Sequence, residues 1–145
     1  MLHAARDEFA SAGPAPTPWS AFFGEIDVAA MIGTVHVELA QRVDVRYGGP
    51  AIDSLTIAVN GYGPAMTRSR SLTQIWLAIG YALAGALDQA ARIGGEAIEV
   101  AAGLRSERTK QRMSPLVAAA ARHPGNTDAR DILDRIDRLR AVAGT

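Results

Sequence analysis

The most regular hydrophobic pattern in the chain lies between Leu72 and Leu104. Apolar residues recur there every three or four positions and form one stripe, which consists of Leu72, Ile75, Ile79, Leu83, Ala86, Ala90, Ile93, Ala97, Val100 and Leu104. This spacing is typical of a helix that buries one face in a core. Gly94 and Gly95 interrupt the stripe, and each costs about 1 kcal/mol relative to alanine in a helix interior. The pattern therefore predicts a long core helix that kinks or divides at Gly94-Gly95.

Two hydrophobic periods compete between Trp19 and Tyr47. The helical period gives a stripe that consists of Val28, Ile32, Val35, Leu39 and Val43. A period of two gives a face that consists of Val35, Val37, Leu39, Val43, Val45 and Tyr47. Valine is enriched after Gly33, and it loses rotamer freedom in a helix and packs well on a pleated sheet. We therefore expect a helix from about Ser20 to Ile32 and a strand from about Thr34 to Tyr47.

A second strand is predicted just downstream. Leu55, Ile57 and Val59 alternate with smaller residues before Asn60-Gly61, a pair typical of tight turns. The sequence thus predicts an α+β fold that is predominantly helical. A small antiparallel β element, about residues 34–60, would pack on an Ala-rich helical layer, about residues 71–143. Two strands alone are marginal in water, so a further element must cover one of their faces.

The two ends of the chain carry clear boundary signals. Prolines at positions 14, 16 and 18 predict an N-terminal arm with a Pro-rich linker over residues 1–18, followed by a single α+β domain over residues 19–145. Ser114-Pro115 predicts the start of a short helix that ends near Arg122. Thr127 is the expected cap of the last helix. The apolar side of that helix consists of Ile132, Leu133, Ile136, Leu139 and Val142.

Composition excludes several classes of protein. The chain has 145 residues and no cysteine, which excludes disulfides, thiolate metal sites and cysteine nucleophiles. Arg6, Asp7 and Glu8 interrupt the first residues, so a cleaved signal peptide is not expected. The longest apolar run, Ile75–Leu87, covers 13 residues, whereas a membrane span needs about 20. We expect a cytoplasmic protein without a membrane partner.

Motifs that carry chemistry are absent from the sequence. It contains no His-Glu-x-x-His, no Gly-x-Ser-x-Gly, no Walker loop and no Gly-x-Gly-x-x-Gly. The carboxylates of Glu96 and Glu99 would share one helix face, but no histidine accompanies them in a di-iron pattern. We therefore expect no metal or cofactor, and favour a protein that is not an enzyme. A cofactor-free acid–base enzyme has no such motif and stays open.

Small residues suggest that the protein acts by association. Ala or Gly occupies 14 of the 33 positions from Leu72 to Leu104. Small residues four apart let helices approach closely, and Tyr62 lies between two glycines in a loop. These candidate partner contacts are Gly80, Ala84, Ala91, Gly95 and Tyr62. The sequence favours a structural or adaptor subunit of a homo- or hetero-oligomer, acting through helix packing with its own copies or another protein.

Two alternatives remain open. One is a small-molecule-binding domain or cofactor-free enzyme with a pocket between the sheet and the long helix, lined by His36, Tyr62 and Arg68 or Arg70. The other is a nucleic-acid accessory protein that uses clustered cations. The candidate anion contacts are Arg68, Arg70, Arg105, Arg108, Lys110 and Arg112. A net charge of zero, and the lack of aromatic residues beside either cluster, argue against nucleic acid.

Overall fold

The described part of the chain is built from helices. A computed structural model describes residues 18–104 and 107–143, and within these ranges it contains no β-strand. The α-helices are α1 (Pro18–Arg42), α2 (Gly48–Gly61), α3 (Thr67–Leu83), α4 (Leu87–Leu104), α5 (Glu107–Gln111), α6 (Ser114–Ala121) and α7 (Thr127–Ala143). Short 3-10 turns at Val45–Tyr47 and Pro64–Met66 precede α2 and α3. The predicted N-terminal arm lies outside the described residues, apart from Pro18.

The predicted antiparallel β element at about residues 34–60 is wrong, and with it the α+β fold class. Val35 and Val37 would point to the same side of a strand, but on α1 Val37 is fully buried whereas Val35 is 46% exposed. The residues that α1 buries follow the helical period instead, and they include Ile26, Ala29, Ile32, Val37 and Ala40. Burial of this face outweighs the weak preference of valine for strands.

Helices α1 and α2 form a tight antiparallel pair. Gly33 of α1 lies against Leu55 of α2, and a Cβ atom at Gly33 would come within 2.6 Å of Leu55 Cδ2. Near the other end of the pair, Gly61 lies against Ile26. Glycine at these two positions therefore allows the backbones to approach closely. The two contacts also set the register of the pair, which brings Met31 of α1 level with Ile57 of α2.

The predicted break of the long helix at Gly94-Gly95 is also wrong. The chain turns instead between α3 and α4, where the φ of Gly85 is positive and left-handed. Residues with a Cβ atom are disfavoured in that conformation. Gly94 and Gly95 lie inside α4 and serve as contact points. A Cβ atom at Gly94 would meet Ala78 and Leu116, each at 3.5 Å.

The last two helices, α6 and α7, agree closely with the helices predicted from the sequence. Helix α6 begins at Ser114 and ends at Ala121, and α7 begins at Thr127. The cap of α7 is Asn126, one residue before the predicted one, because its side-chain Oδ1 accepts a hydrogen bond from the Ala129 backbone N–H at 3.0 Å. Asparagine is among the residues preferred at such caps. Ile132 and Ile136 on the predicted apolar side are buried.

Helix α3 is the centre of the molecule. It packs against α1 and α2 on one side and against α4 and α6 on the other, and α7 covers α4 and α6. The largest fully buried apolar side chains are Val37, Leu55, Ile75, Ile79, Met113, Leu116, Ile132 and Ile136. None of the helices in the described ranges combines the length and the hydropathy that a membrane span requires.

Candidate functional site

The exposed apolar side chains of the molecule are concentrated on the α1–α2 pair. Within the described residues, the exposed large hydrophobic side chains are Met31 (57% exposed), Val35 (46%), Val43 (69%), Tyr47 (38%) and Ile57 (53%). All of them belong to α1, to α2 or to the connection between these helices. None of these exposed large hydrophobic side chains belongs to a later helix of the described chain, so they are concentrated on the part of the molecule that α1 and α2 form.

Most of this surface is one stripe along α1. Val28 and Leu39, which are half-buried, continue the line of Met31 and Val35, and Val43 extends it just beyond the end of the helix. At about 100° per residue, the helical members of the stripe fall within roughly 80° of arc. We call the residues Val28, Met31, Val35, Leu39 and Val43 the α1 apolar face. Ile57 lies level with Met31 on the neighbouring helix.

Charged residues lie beside and within the α1 apolar face. Asp27 lies near its beginning, Glu38 near its middle and Arg42 at the end of α1, and all three are exposed. Neither Glu38 nor Arg42 forms an ion pair with any residue that the structure describes. An exposed apolar stripe bordered by unpaired charges is typical of a protein-interaction surface, in which the charges set partner and orientation.

Tyr62 lies beside this surface, where the end of α2 meets the first half of α1. The structure places its half-buried ring against a small cluster of Ile26, Ala29 and Ala58. Its hydroxyl donates a hydrogen bond to Asp27 Oδ1 at 3.3 Å. Burial raises the pKa of Tyr62 above its ordinary value, and the negative charge of Asp27 raises it further. Tyr62 therefore joins the end of α2 to α1.

The small residues proposed from the sequence as partner contacts lie mostly inside the fold. Gly80 is buried, and a Cβ atom there would lie 3.5 Å from Ile52 Cγ1. Gly95 is buried against the guanidinium of Arg135 on α7. Ala91 is half-buried and packs on the core, whereas Ala84 is exposed at the end of α3. The close approach that their spacing predicts is thus made between helices of the same chain at Gly80 and Gly95.

The described candidate anion contacts lie on two parts of the chain, the first turn of α3 and the region of α5. Arg68 is exposed and Arg70 half-buried in the first turn of α3. Arg108 on α5 and Arg112 just after it are exposed. Lys110 is buried, with its ammonium 3.3 Å from Glu107 Oε1. Arg105 lies outside the described residues.

The proposed pocket between sheet and long helix loses one wall, because the sheet is absent from the described chain. His36 is buried in α1, and its Nδ1 lies 2.8 Å from the Ile32 carbonyl oxygen. Since a carbonyl oxygen only accepts, Nδ1 carries the proton. Tyr62 binds Asp27 instead, more than two helical turns farther back along α1. The structure thus does not bring His36 and Tyr62 together.

A metal site is likewise without support in the described part of the chain. The residues there include no group of three or more His, Asp or Glu side chains that could hold a metal ion. Glu96, one of the paired carboxylates considered from the sequence, accepts a hydrogen bond from Gln74. Both Glu96 and Glu99 are exposed on α4. The hydrogen bond to Gln74 accounts for the position of the Glu96 carboxylate without a metal ion.

Comparison with known proteins adds no relative. The chain matches no family model, no curated protein and no solved structure. The functional argument therefore rests on the surface itself. Sequence reasoning missed this surface although the helical stripe of Val28, Val35, Leu39 and Val43 is visible in the sequence, because the strand assignment divided the stripe between two elements.

Proposed function

We propose that this chain is a structural or adaptor subunit that assembles with its own copies or with another protein through the α1 apolar face. The observation that carries the proposal is the concentration of exposed large hydrophobic residues on α1 and α2. Contiguous apolar patches are uncommon on monomeric soluble proteins and mark sites of association. Covering a half-exposed aliphatic side chain contributes about 1 kcal/mol, so several such side chains together favour a partner.

The other two functions have weaker support. A pocket beside a sheet would need an element that the described chain lacks. A nucleic-acid surface would use the cations of α3 and α5, of which Lys110 is buried and already next to Glu107. The apolar face needs no rearrangement, because its side chains already point to solvent.

The proposal is tested by measuring molar mass with light scattering during gel filtration, at micromolar concentration. We expect the wild-type chain to exceed the 15.3 kDa of a monomer. Val35→Glu places a charge in the middle of the face and should return the mass toward the monomer value. Ala102→Glu is the matched control, because it places the same charge at an exposed position of α4.

Circular dichroism of both variants establishes that the helices are retained, so that a lower mass reports association rather than unfolding. Equal effects of Val35→Glu and Ala102→Glu on the mass would contradict the proposal. A wild-type chain that stays at 15.3 kDa, and captures no protein whose binding is lost in Val35→Glu, would also contradict the proposal.

A further inference from the structure

The charges beside the α1 apolar face make it complementary to a second copy of itself. Asp27 and Arg42 are exposed on the same side of α1, separated by about four turns of the helix. Glu38, one turn before Arg42, is exposed on that side as well. The beginning of the face therefore carries a carboxylate and its end a guanidinium, and Arg42 has no carboxylate partner within the described residues.

We propose that two copies of this chain pack their α1 helices antiparallel, with the two-fold axis beside Thr34 and Val35. This inference rests on the proposed function, and it specifies that the partner is a second copy of the chain. In this arrangement Asp27 of each copy lies level with Arg42 of the other, so two ion pairs form at the ends of the interface. Val35 meets its own symmetry mate at the centre, and Met31 lies close to Leu39 of the second copy.

A parallel arrangement of the same helices lacks these advantages. It would bring Asp27 of both copies to the same level, so that Asp27 of one copy and Arg42 of the other would lie about 22 Å apart along the helices and could not pair. It would also align the two helix dipoles, whereas antiparallel neighbours place the positive end of one helix beside the negative end of the other. The charge pattern therefore selects one of the two orientations.

The size of the surface indicates that α2 takes part. Helix α1 has 25 residues and α2 has 14. At the usual rise per residue, they measure about 37 Å and about 21 Å in length. At a width of about 10 Å each, the two outer faces together cover about 600 Å², which approaches the roughly 800 Å² per partner of a standard interface. Ile57, level with Met31, would then pack in a four-helix arrangement made of two α1–α2 pairs.

Exchange of the two charges tests the orientation. The dimer dissociation constant is measured by sedimentation velocity for the wild type, for Asp27→Lys, for Arg42→Glu and for the double variant. Each single substitution makes two attractive pairs repulsive and should weaken the dimer about ten-fold. The double variant restores opposite charges and should regain most of the affinity. Asp88→Lys with Arg92→Glu is the matched control, because both residues are exposed on α4.

Disulfide formation gives a second, independent measurement, since the chain has no cysteine of its own. Val35→Cys lies beside the two-fold axis and should crosslink to its symmetry mate. Arg42→Cys alone should not, because its mate lies at the far end of the interface. An equal mixture of Asp27→Cys and Arg42→Cys should form mixed dimers. Tyr62→Phe, which removes the hydrogen bond to Asp27, controls for the loss of that contact in the Asp27 variants.

The outcomes separate this inference from the proposed function. The antiparallel arrangement is overturned if the double charge variant does not regain the affinity and Arg42→Cys crosslinks to itself. The proposed function stays in place in that case, provided that Val35→Glu still dissociates the dimer. A wild-type chain that stays monomeric at about 100 μM also overturns the arrangement, and the proposed function then depends on a different protein.

Discussion

Three threonine hydroxyls in the described helices donate to the backbone carbonyl four residues earlier. Thr34 binds the Ala30 carbonyl at 2.8 Å, Thr56 that of Ile52 at 2.7 Å, and Thr73 that of Ser69 at 2.8 Å. The helix backbone thus provides the hydrogen-bond acceptor for each threonine hydroxyl, although such hydroxyls can also bind backbone groups in non-helical conformations. Threonine therefore indicates strands only weakly in this chain.

Gly33 illustrates how strongly a single contact can reverse an intrinsic preference. Alanine is favoured over glycine in a helix by about 1 kcal/mol, yet a Cβ atom at Gly33 would overlap Leu55. We expect Gly33→Ala to lower the free energy of unfolding by about 1–3 kcal/mol, because α1 and α2 would have to move apart. Urea unfolding followed by circular dichroism measures the change.

The matched control is Gly103→Ala on α4, where a Cβ atom would have no neighbour within 4 Å. This variant should be neutral or more stable by about 0.4–1 kcal/mol, because it restricts only the unfolded chain. A Gly33→Ala variant as stable as Gly103→Ala would show that α1 and α2 are not in close contact at this position.

Tyr62 should make stability depend on alkaline pH. Its pKa is raised in the folded state, mainly by burial and then by Asp27, so folding favours the protonated hydroxyl. The stabilisation is complete below about pH 10, the pKa of an unperturbed tyrosine, and is lost as the pH rises through the folded-state value. Unfolding measured from pH 8 to 11 should show a steeper decline for the wild type than for Tyr62→Phe. Parallel declines would contradict this assignment.

At the scale of the element, the sequence predicted the helices whose apolar stripe is long and unambiguous. The helical period identified α7 and the region of α3 and α4, since their larger residues already define a single buried face, and the Ser114-Pro115 start signal identified α6. It failed at α1, where Val35, Val37 and Leu39 fit both periods over a few residues. The choice depended on Ile26 and Ala29 upstream, which α1 buries in line with Val37. Sequence pattern also misplaced the turn at Gly85, because glycine marks both breaks and close helix contacts.

The α3–α4 pair contains a polar contact that the sequence did not indicate. Gln74 is 1% exposed, and its Nε2 donates to Glu96 Oε2 at 2.8 Å. Removal of the carboxylate in Glu96→Ala leaves a buried amide donor without its acceptor, which should cost about 1–3 kcal/mol. The shift of the urea midpoint at constant slope measures this loss.

Glu99→Ala is the control for this contact, since Glu99 is exposed on the same helix one turn later. It should change stability by less than about 0.5 kcal/mol. The double variant Gln74→Leu with Glu96→Ala should recover part of the loss, because both polar groups are then absent. Equal losses in Glu96→Ala and Glu99→Ala would mean that the hydrogen bond does not stabilise the pair.

At the scale of the whole molecule, the sequence indicates which faces are buried but not which helices meet. The stripe of α4 was predicted correctly, whereas its contact with α7 depends on Gly95 and Arg135, which lie far apart in the chain and have no pattern in common. The same limit applies to the candidate site. Its residues are visible in the sequence, but their exposure depends on how α2 and α3 cover the opposite side of α1.

The central place of α3 has a consequence for folding while the chain is being synthesised. Its neighbours on one side, α1 and α2, precede it in the chain, and α4 and α6 follow it. During synthesis, α1, α2 and α3 leave the ribosome while the second side of α3 still lacks its cover. That side includes Ala78, which later packs against Gly94. A nascent chain that has emerged only as far as Leu83 therefore presents two apolar surfaces at once, the α1 apolar face and the uncovered side of α3, and is most prone to aggregate at that stage.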